Sequence, residues 1–368
     1  MPIDADNLPT GPEHLTRAWM TEALRSSGVI PASARVSQCV AEPLGAGGGL
    51  IGLLARAQLQ YEGSADAPAR VIAKFPSPVQ ANRDVADTYN MYGREVRFYT
   101  ELSRSTAIPH PRCYFAAQSQ VNSDFVLLLE DLGDRRIGDQ VQGSDVHDAE
   151  VVIDAIAAFH AGNWGRTNEA RFTWLTPHAN DAQIAGMEAG FAFGWPRFKN
   201  ELADVIPASV LRWGERVGPA TRQILDTLCS GPLTVCHADC RLENMFFATS
   251  DAQPAFAIID WQSITKSSGA QDLSYYLTQS LPIDVRRRHE RALLDRYHEG
   301  LCAGGVAHYS RDQLMRDYRQ ATLYLLDYAV VIAATLDLSN ERGAAIARAL
   351  SARSCAALED LDCEALLP

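Results

Sequence analysis

Between Leu53 and Tyr61 the chain alternates: Leu53, Ala55, Ala57, Leu59 and Tyr61 fall on one side, Leu54, Arg56, Gln58 and Gln60 on the other. A two-residue period predicts a strand. A second strand is predicted over residues 36–44, and the run Gly45-Ala46-Gly47-Gly48-Gly49-Leu50-Ile51-Gly52 separates the two. After a polar turn over residues 61–69, Val71-Ile72-Ala73-Lys74-Phe75 predicts a third strand with one lysine among apolar neighbours. Phe125-Val126-Leu127-Leu128-Leu129 has the unbroken apolar character of a buried strand, ended by Glu130-Asp131-Leu132-Gly133.

Helical signals fill most of the rest. Thr10-Gly11-Pro12-Glu13 reads as a capping box, with Thr10 as the cap of a helix that carries Leu15, Trp19 and Ala23 on one face and ends near Gly28. Residues 89–102 predict a helix bearing Glu95, and a longer one starts at Val146 with Val152, Ile156, Phe159 and His160 near its core face. Residues 163–220 are dense in aromatics and broken by Pro177, Pro196 and Pro207; at this loose helical spacing they read as core, with an apolar binding pocket as the alternative. Residues 285–300 form a charged helix, and Ser310-Arg311-Asp312-Gln313 caps the next. The most hydrophobic stretch, residues 321–338, contains Asp327 and Asp337, which predicts a buried helix rather than a membrane span.

Composition narrows the function classes. A chain of 368 residues is long enough for two lobes, each with its own core, and 47% hydrophobic with 21% charged residues is ordinary for a globular protein. A net charge of −12 argues against a nucleic-acid partner, which needs a basic face. The polar, acidic start Met1-Pro2-Ile3-Asp4-Ala5-Asp6 lacks a secretory pattern, so a cytoplasmic location is expected. None of the eight cysteines forms a Cys-x-x-Cys pair, and most are expected to be buried and reduced. Cys236, His237 and Cys240 could be drawn as metal ligands, but His237 has a better explanation.

That explanation is the stretch Val235-Cys236-His237-Ala238-Asp239-Cys240-Arg241-Leu242-Glu243-Asn244-Met245-Phe246-Phe247, followed by Phe256-Ala257-Ile258-Ile259-Asp260. It has a His-x-Asp, an Asn five positions later, and a second Asp closing an apolar strand. Phosphoryl transfer needs a carboxylate to take the acceptor's proton, and an amide and a further carboxylate to hold magnesium on the phosphates. Asp239, Asn244 and Asp260 have those chemistries in that order. Apolar runs on either side predict two short strands presenting the turn from Asp239 to Asn244. Ordinary turn residues are the alternative, and the order of the parts upstream weighs against it.

Gly47, Gly49 and Gly52 match G-x-G-x-x-G, but a strand follows where a dinucleotide fold needs a helix, which leaves a phosphate-covering hairpin or a plain glycine turn. Lys74 is placed to meet the α- and β-phosphates, or is an exposed edge lysine. Glu95 would pair with Lys74, or with the arginines around it. The backbone of Glu130 and Leu132 is offered to an adenine edge. Asp272, in Gly269-Ala270-Gln271-Asp272-Leu273, is either a helix N-terminal acid or a buried acceptor bracing the catalytic turn.

With these parts in order, the chain resembles the aminoglycoside phosphotransferase and choline kinase-like superfamily, and within it the ecdysteroid kinase-like branch. The resemblance covers residues 35–340 and rests on Val71-Ile72-Ala73-Lys74, the Glu95 helix with Phe98-Tyr99, Leu129-Glu130-Asp131-Leu132, His237-Ala238-Asp239 with Asn244, Ile258-Ile259-Asp260-Trp261, and Gly269 with Asp272. It implies an α+β, two-lobed protein-kinase-like fold: a small N-lobe with an antiparallel sheet (residues 1–130) and a large, mostly helical C-lobe (residues 131–368), with ATP between them. It further implies Asp239 as catalytic base, Arg241 near the γ-phosphate, Asn244 and Asp260 as Mg2+ ligands, and His237 and Asp272 as supports of the loop. Ala238 replaces the usual glycine of this motif. Trp261-Gln262 follows Asp260 where protein kinases have Phe-Gly, and there is no Ala-Pro-Glu segment, so neither a phosphorylated activation loop nor a protein substrate is expected. The expected activity is ATP- and magnesium-dependent phosphorylation of a hydroxyl on a small molecule, without nucleic acid or membrane; the sequence is silent on oligomeric state. The aromatic density of residues 163–220 favours an apolar, steroid-like or acyl-type alcohol over an aminoglycoside, which would need a carboxylate cluster. A non-catalytic nucleotide-binding module is the alternative from another class.

Overall fold

Five strands build the sheet of the first of two units: Arg35–Pro43 (β1), Gly52–Glu62 (β2), Arg70–Pro76 (β3), Cys113–Gln118 (β4) and Phe125–Glu130 (β5). All neighbours are antiparallel, in the order β1-β2-β3-β5-β4. The computed structural model describes residues 3, 6–45, 51–63, 66–250 and 254–368. The first unit comprises residues 1–105, 110–135 and 259–262; the second holds the remainder.

The period read between Leu53 and Tyr61 has a direct consequence. Ala55, Ala57 and Leu59 of β2 and Val71, Ala73 and Phe75 of β3 bury one face of the sheet against Met20, Ala23 and Leu24 of the helix Arg17–Ser26 (α1). Lys74 alternates with Ala73 and Phe75, so its side chain leaves the opposite face. Because β3 is flanked by β2 and β5, it is an interior strand, which removes the edge-lysine reading. Two helices cover residues 80–97, Gln80–Thr88 (α2) and Met91–Arg97 (α3); the latter runs on through a π-helical turn, Phe98–Leu102.

The cap of α1 differs from the sequence expectation. Pro12 starts a separate 3-10 turn, Pro12–His14, and the helix proper begins later, with the Thr16 hydroxyl accepting from the Trp19 N–H at 3.1 Å. Thr10 caps nothing in α1.

The second unit is helical around two small sheets. Its helices are Val146–Asn163 (α4), Asp181–Glu201 (α5), Ala208–Trp213 (α6), Val217–Leu228 (α7), Ala270–Ser280 (α8), Ile283–Ala303 (α9), Arg311–Thr335 (α10) and Glu341–Asp360 (α11). Ser310 caps α10 by accepting from the Gln313 N–H at 3.1 Å. The strands Arg136–Ile137 (β6), Met245–Phe247 (β8) and Phe256–Ile258 (β9) form one sheet, and Thr234–Cys236 (β7) pairs with Thr265–Ser267 (β10). The apolar runs on either side of His237 therefore do become strands, each in a different sheet.

Most of the aromatic segment is core, with Phe193 exposed and Trp164 and Trp174 half-buried. Phe191, Trp195, Phe198 and Trp213 are buried with Tyr324, Leu326 and Val330 of α10. Pro196 lies inside α5 and does not break it. Packing on α10 outweighs the missing backbone donor, and Gly194 allows the close approach: a Cβ there would sit 2.9 Å from the Val330 carbonyl oxygen. Asp327 is fully buried on α10, and among the described residues no helix is long and apolar enough to cross a membrane.

Candidate active site

In the first unit the polar residues converge on Lys74. Its Nζ lies 2.6 Å from Glu95 Oε2 and 2.7 Å from Asp260 Oδ1, with side-chain exposures of 10%, 1% and 15% for Lys74, Glu95 and Asp260. Burial disfavours the ammonium, but the Asp260 and Glu95 carboxylates outweigh it and hold the Lys74 pKa above its usual value. The lysine is thus a fixed cation. Of the glycine trio, Gly52 passes directly over it: a Cβ would meet the Phe75 carbonyl at 3.1 Å and Lys74 Cε at 3.3 Å. Gly47 and Gly49 lie outside the described residues.

Asp260 is held from its own flank. Trp261, fully buried, stacks on Phe98 with ring centroids 3.7 Å apart and planes 6° from parallel, which ties the Asp260 segment to the element that follows Glu95. Gln262 Nε2 donates to Asp260 Oδ2 at 3.4 Å. Asp260 itself has φ +69°, a strained conformation for a residue with a Cβ.

At the end of β5 the Glu130 N–H donates to the Arg112 carbonyl at 2.8 Å, so Glu130 has no N–H to offer a base edge. Leu132 is buried, and its carbonyl accepts from the Arg135 N–H at 2.9 Å. Asp131 is not a solvated turn acid: its carboxylate takes Arg56 Nε at 2.8 Å and a second guanidinium nitrogen at 3.2 Å.

In the second unit the turn between β7 and β8 is clamped from α8. Asp272 Oδ2 accepts from the His237 N–H at 2.7 Å and Oδ1 from the Ala238 N–H at 2.8 Å. His160 Nε2 lies 3.2 Å from Asp272 Oδ2, while its Nδ1 meets the Tyr297 hydroxyl at 2.8 Å, so His160 is a satisfied core histidine. Burial would raise the Asp272 carboxyl, but its bond to His160, the nearby His237 and the Ala238 N–H outweigh burial and hold it below the usual carboxylate range. Ala238 takes φ +64°, a left-handed conformation that a glycine would adopt without strain.

That kink delivers Asp239. Its N–H meets His237 Nδ1 at 3.2 Å, and Asn244 Nδ2 donates both to the Asp239 carbonyl at 3.0 Å and to its Oδ2 at 3.1 Å. Arg241 Nε lies 3.6 Å from Oδ2, and the Tyr275 hydroxyl donates to Oδ1 at 3.1 Å. The Leu242 N–H is held by Gln140 Oε1 at 2.9 Å. Tyr275 and Gln140 escaped the sequence reading. Tyr275 stands three positions after Asp272, a spacing that puts two side chains on one face of a helix, so a signal was present. Nothing local marked Gln140, whose contact spans more than a hundred residues.

Among the described residues Cys236, His237 and Cys240 are not brought together as a ligand group; burial pushes the Cys236 and Cys240 thiols well up, and all eight cysteines are free. Magnesium is a different matter, because it takes oxygen ligands. With its Nδ2 spent on Asp239, Asn244 is left with a carbonyl oxygen for a cation, and Asp260 Oδ2 carries the long 3.4 Å contact from Gln262. Each is an oxygen donor, the ligand chemistry the ion takes.

Solved structures with the same chain course place the fold. The microcompartment-associated aminopropanol kinase superposes with a TM-score of 0.53 at 14% identity, covering 95% of this chain and 99% of its own. A Ralstonia eutropha JMP134 protein assigned to the aminoglycoside phosphotransferases gives 0.57 at 12%, covering 94% and 97%. Wild-type aminoglycoside 2'-phosphotransferase-IIIa, solved as its GDP complex, gives 0.52 at 12%, covering 94% and 99%. No curated protein matches the sequence significantly. These likenesses establish a kinase-like phosphotransferase fold, in which an antiparallel sheet domain accompanies a larger helical one. The sequence profile of the ecdysteroid kinase-like family matches residues 46–304, and the chain belongs to that family, whose members are small-molecule kinases acting on hydroxyl groups.

Proposed function

We propose that the protein transfers the γ-phosphoryl group of ATP to a hydroxyl of a small, largely apolar alcohol, with magnesium. The observation that carries this reading is the pair of hydrogen bonds from Asn244 Nδ2 to the backbone carbonyl and the carboxylate of Asp239, which makes a base and a metal ligand one rigid piece. Lys74, fixed as a cation by Glu95 and Asp260, is the partner for the α- and β-phosphates. Gly47, Gly49 and Gly52 supply the phosphate-covering loop, and Leu132 with the remaining Glu130 backbone meets the base.

In the reaction Asp239 accepts the acceptor's hydroxyl proton. The oxygen's electron pair forms a bond to the γ-phosphorus as the bond from that phosphorus to the bridging oxygen breaks, and ADP leaves with the electrons of the broken bond. A phosphate monoester, ADP and a proton result. Arg241, beside Asp239, offsets charge on the transferring group. Magnesium, held by Asn244 and Asp260, would neutralise the phosphate oxygens.

The acceptor reading does not rest on the aromatics of residues 163–220, most of which are core. It rests on what surrounds Asp239: the ring of Tyr275, the half-buried ring of Tyr328 against it at 5.8 Å, and the Arg241 cation. A cation at the base repels the amines of an aminoglycoside, which would need carboxylates there instead. The test is ADP release from Mg–ATP over a panel of sterols, hydroxylated acyl chains, amino alcohols and aminoglycosides, with the product identified by phosphorus NMR. Turnover confined to the apolar alcohols is expected. Turnover confined to aminoglycosides reverses the acceptor assignment. No transfer to any alcohol, with ATP raising the thermal midpoint equally with and without magnesium, favours the non-catalytic nucleotide-binding module.

A further inference from the structure

Asp239 carries its neighbours unequally. Oδ2 takes the Asn244 amide at 3.1 Å and has Arg241 Nε 3.6 Å away, whereas among the described residues Oδ1 takes only the Tyr275 hydroxyl, at 3.1 Å. A carboxylate offers about four lone-pair sites, two on each oxygen. The acceptor hydroxyl therefore finds its place on Oδ1, beside the phenol.

Tyr275 is built to give that one bond. Its ring is buried and set edge-on to Tyr328, 5.8 Å between centroids at 75°, so the hydroxyl has one direction. Burial, with Asp239 nearby, pushes the phenol well above its usual pKa, so it stays a neutral donor. Its place on α8 adds an independent argument. Three residues earlier, Asp272 holds the backbone N–H groups of His237 and Ala238. One helix thus grips the turn at its backbone and at its reacting side chain.

We propose that Tyr275 is a positioning residue for the base, fixing the rotation of the Asp239 carboxylate so that Oδ1 faces the acceptor hydroxyl. The proposal rests on Asp239 being the base. Without the phenol, the carboxylate keeps its bond from Asn244 but is free to turn about it, and the fraction of encounters with Oδ1 correctly aimed falls. Nucleotide binding, which uses other residues, does not.

Tyr275→Phe keeps the ring and removes only the hydroxyl. The readout is magnesium-dependent ADP release, with water as acceptor and with the most active alcohol of the panel, alongside thermal unfolding. The expected result is a fall in kcat of about tenfold, with KM for ATP within about twofold of the parent value. In an Asp239→Ala background the same substitution should cost no more than about a further twofold, because a residue acting through Asp239 has nothing left to position. A kcat for Tyr275→Phe within twofold of the parent overturns the proposal. So does a loss that multiplies in full on the Asp239→Ala background, which is what a purely structural role produces. If Asp239→Ala alone retains full turnover, the assignment of the base fails first, and this proposal with it.

Discussion

Ala238 stands where the motif calls for glycine and holds φ +64°. An L-residue in that region loses about 1–2 kcal/mol to the contact of its Cβ with the backbone. The turn tolerates this because the bonds from the His237 and Ala238 N–H groups to Asp272 leave it no cheaper shape. Ala238→Gly should raise stability by about 0.5–1 kcal/mol, part of the relief being returned as the greater freedom of glycine in the unfolded chain. Urea unfolding measures it, and a lower midpoint would show that no strain is stored there. Lys74 makes the opposite case, a residue whose neighbours depend on it. Lys74→Met leaves Glu95 and Asp260 facing each other without a cation, and breaking a buried pair of this kind costs about 3–5 kcal/mol. A loss under about 1 kcal/mol in the same measurement would mean the cluster is solvated.

Helix α8 carries the brace, and its effect should be separable from chemistry. Asp272→Asn keeps one acceptor but turns an amide donor toward the other backbone N–H, so about 2–4 kcal/mol of stability should be lost as that buried N–H goes unpaired. Hydrogen exchange at the His237 and Ala238 amides should rise with it; unchanged protection would show that the bracing lies elsewhere. The sequence made some of this legible and not the rest, for physical reasons. The strands of the first unit were readable because a sheet with one buried face imposes a period of two, and Lys74 with Glu95 because a charge amid apolar neighbours needs a counter-charge. The cap of α1 was misplaced because two threonines six residues apart both precede helical spacing, and the choice turns on how Pro12 starts its own turn. The run of α5 through Pro196 and the Arg56–Asp131 pair depend on packing distant in sequence, which local patterns do not encode. Tyr275 was visible as a helix residue, but its bond depends on where the turn lies.

Across the molecule as a whole, one buried acid sets a pH dependence of stability. Asp327 sits in the helical core with, among the described residues, only the Thr221 hydroxyl donating to it, at 2.9 Å, and burial pushes its pKa up to about 8 from 3.8. Between those values the folded chain holds a proton that the unfolded chain has lost, so this group's contribution falls as pH rises from about 4 to 8 and is level above. Asp327→Asn removes the cost of charging a buried carboxylate. It should raise the thermal midpoint by several degrees at pH 8 and by distinctly less at pH 5; equal increments at both would place the titration elsewhere.

The proposed function turns on Asp239 as the group that takes the acceptor's proton. Asp239→Ala, assayed with Mg–ATP and the preferred alcohol, should lose at least about a hundredfold in kcat, equivalent to about 2.7 kcal/mol of barrier, while ATP still raises its thermal midpoint. A variant that phosphorylates the alcohol at the parent rate would contradict the account.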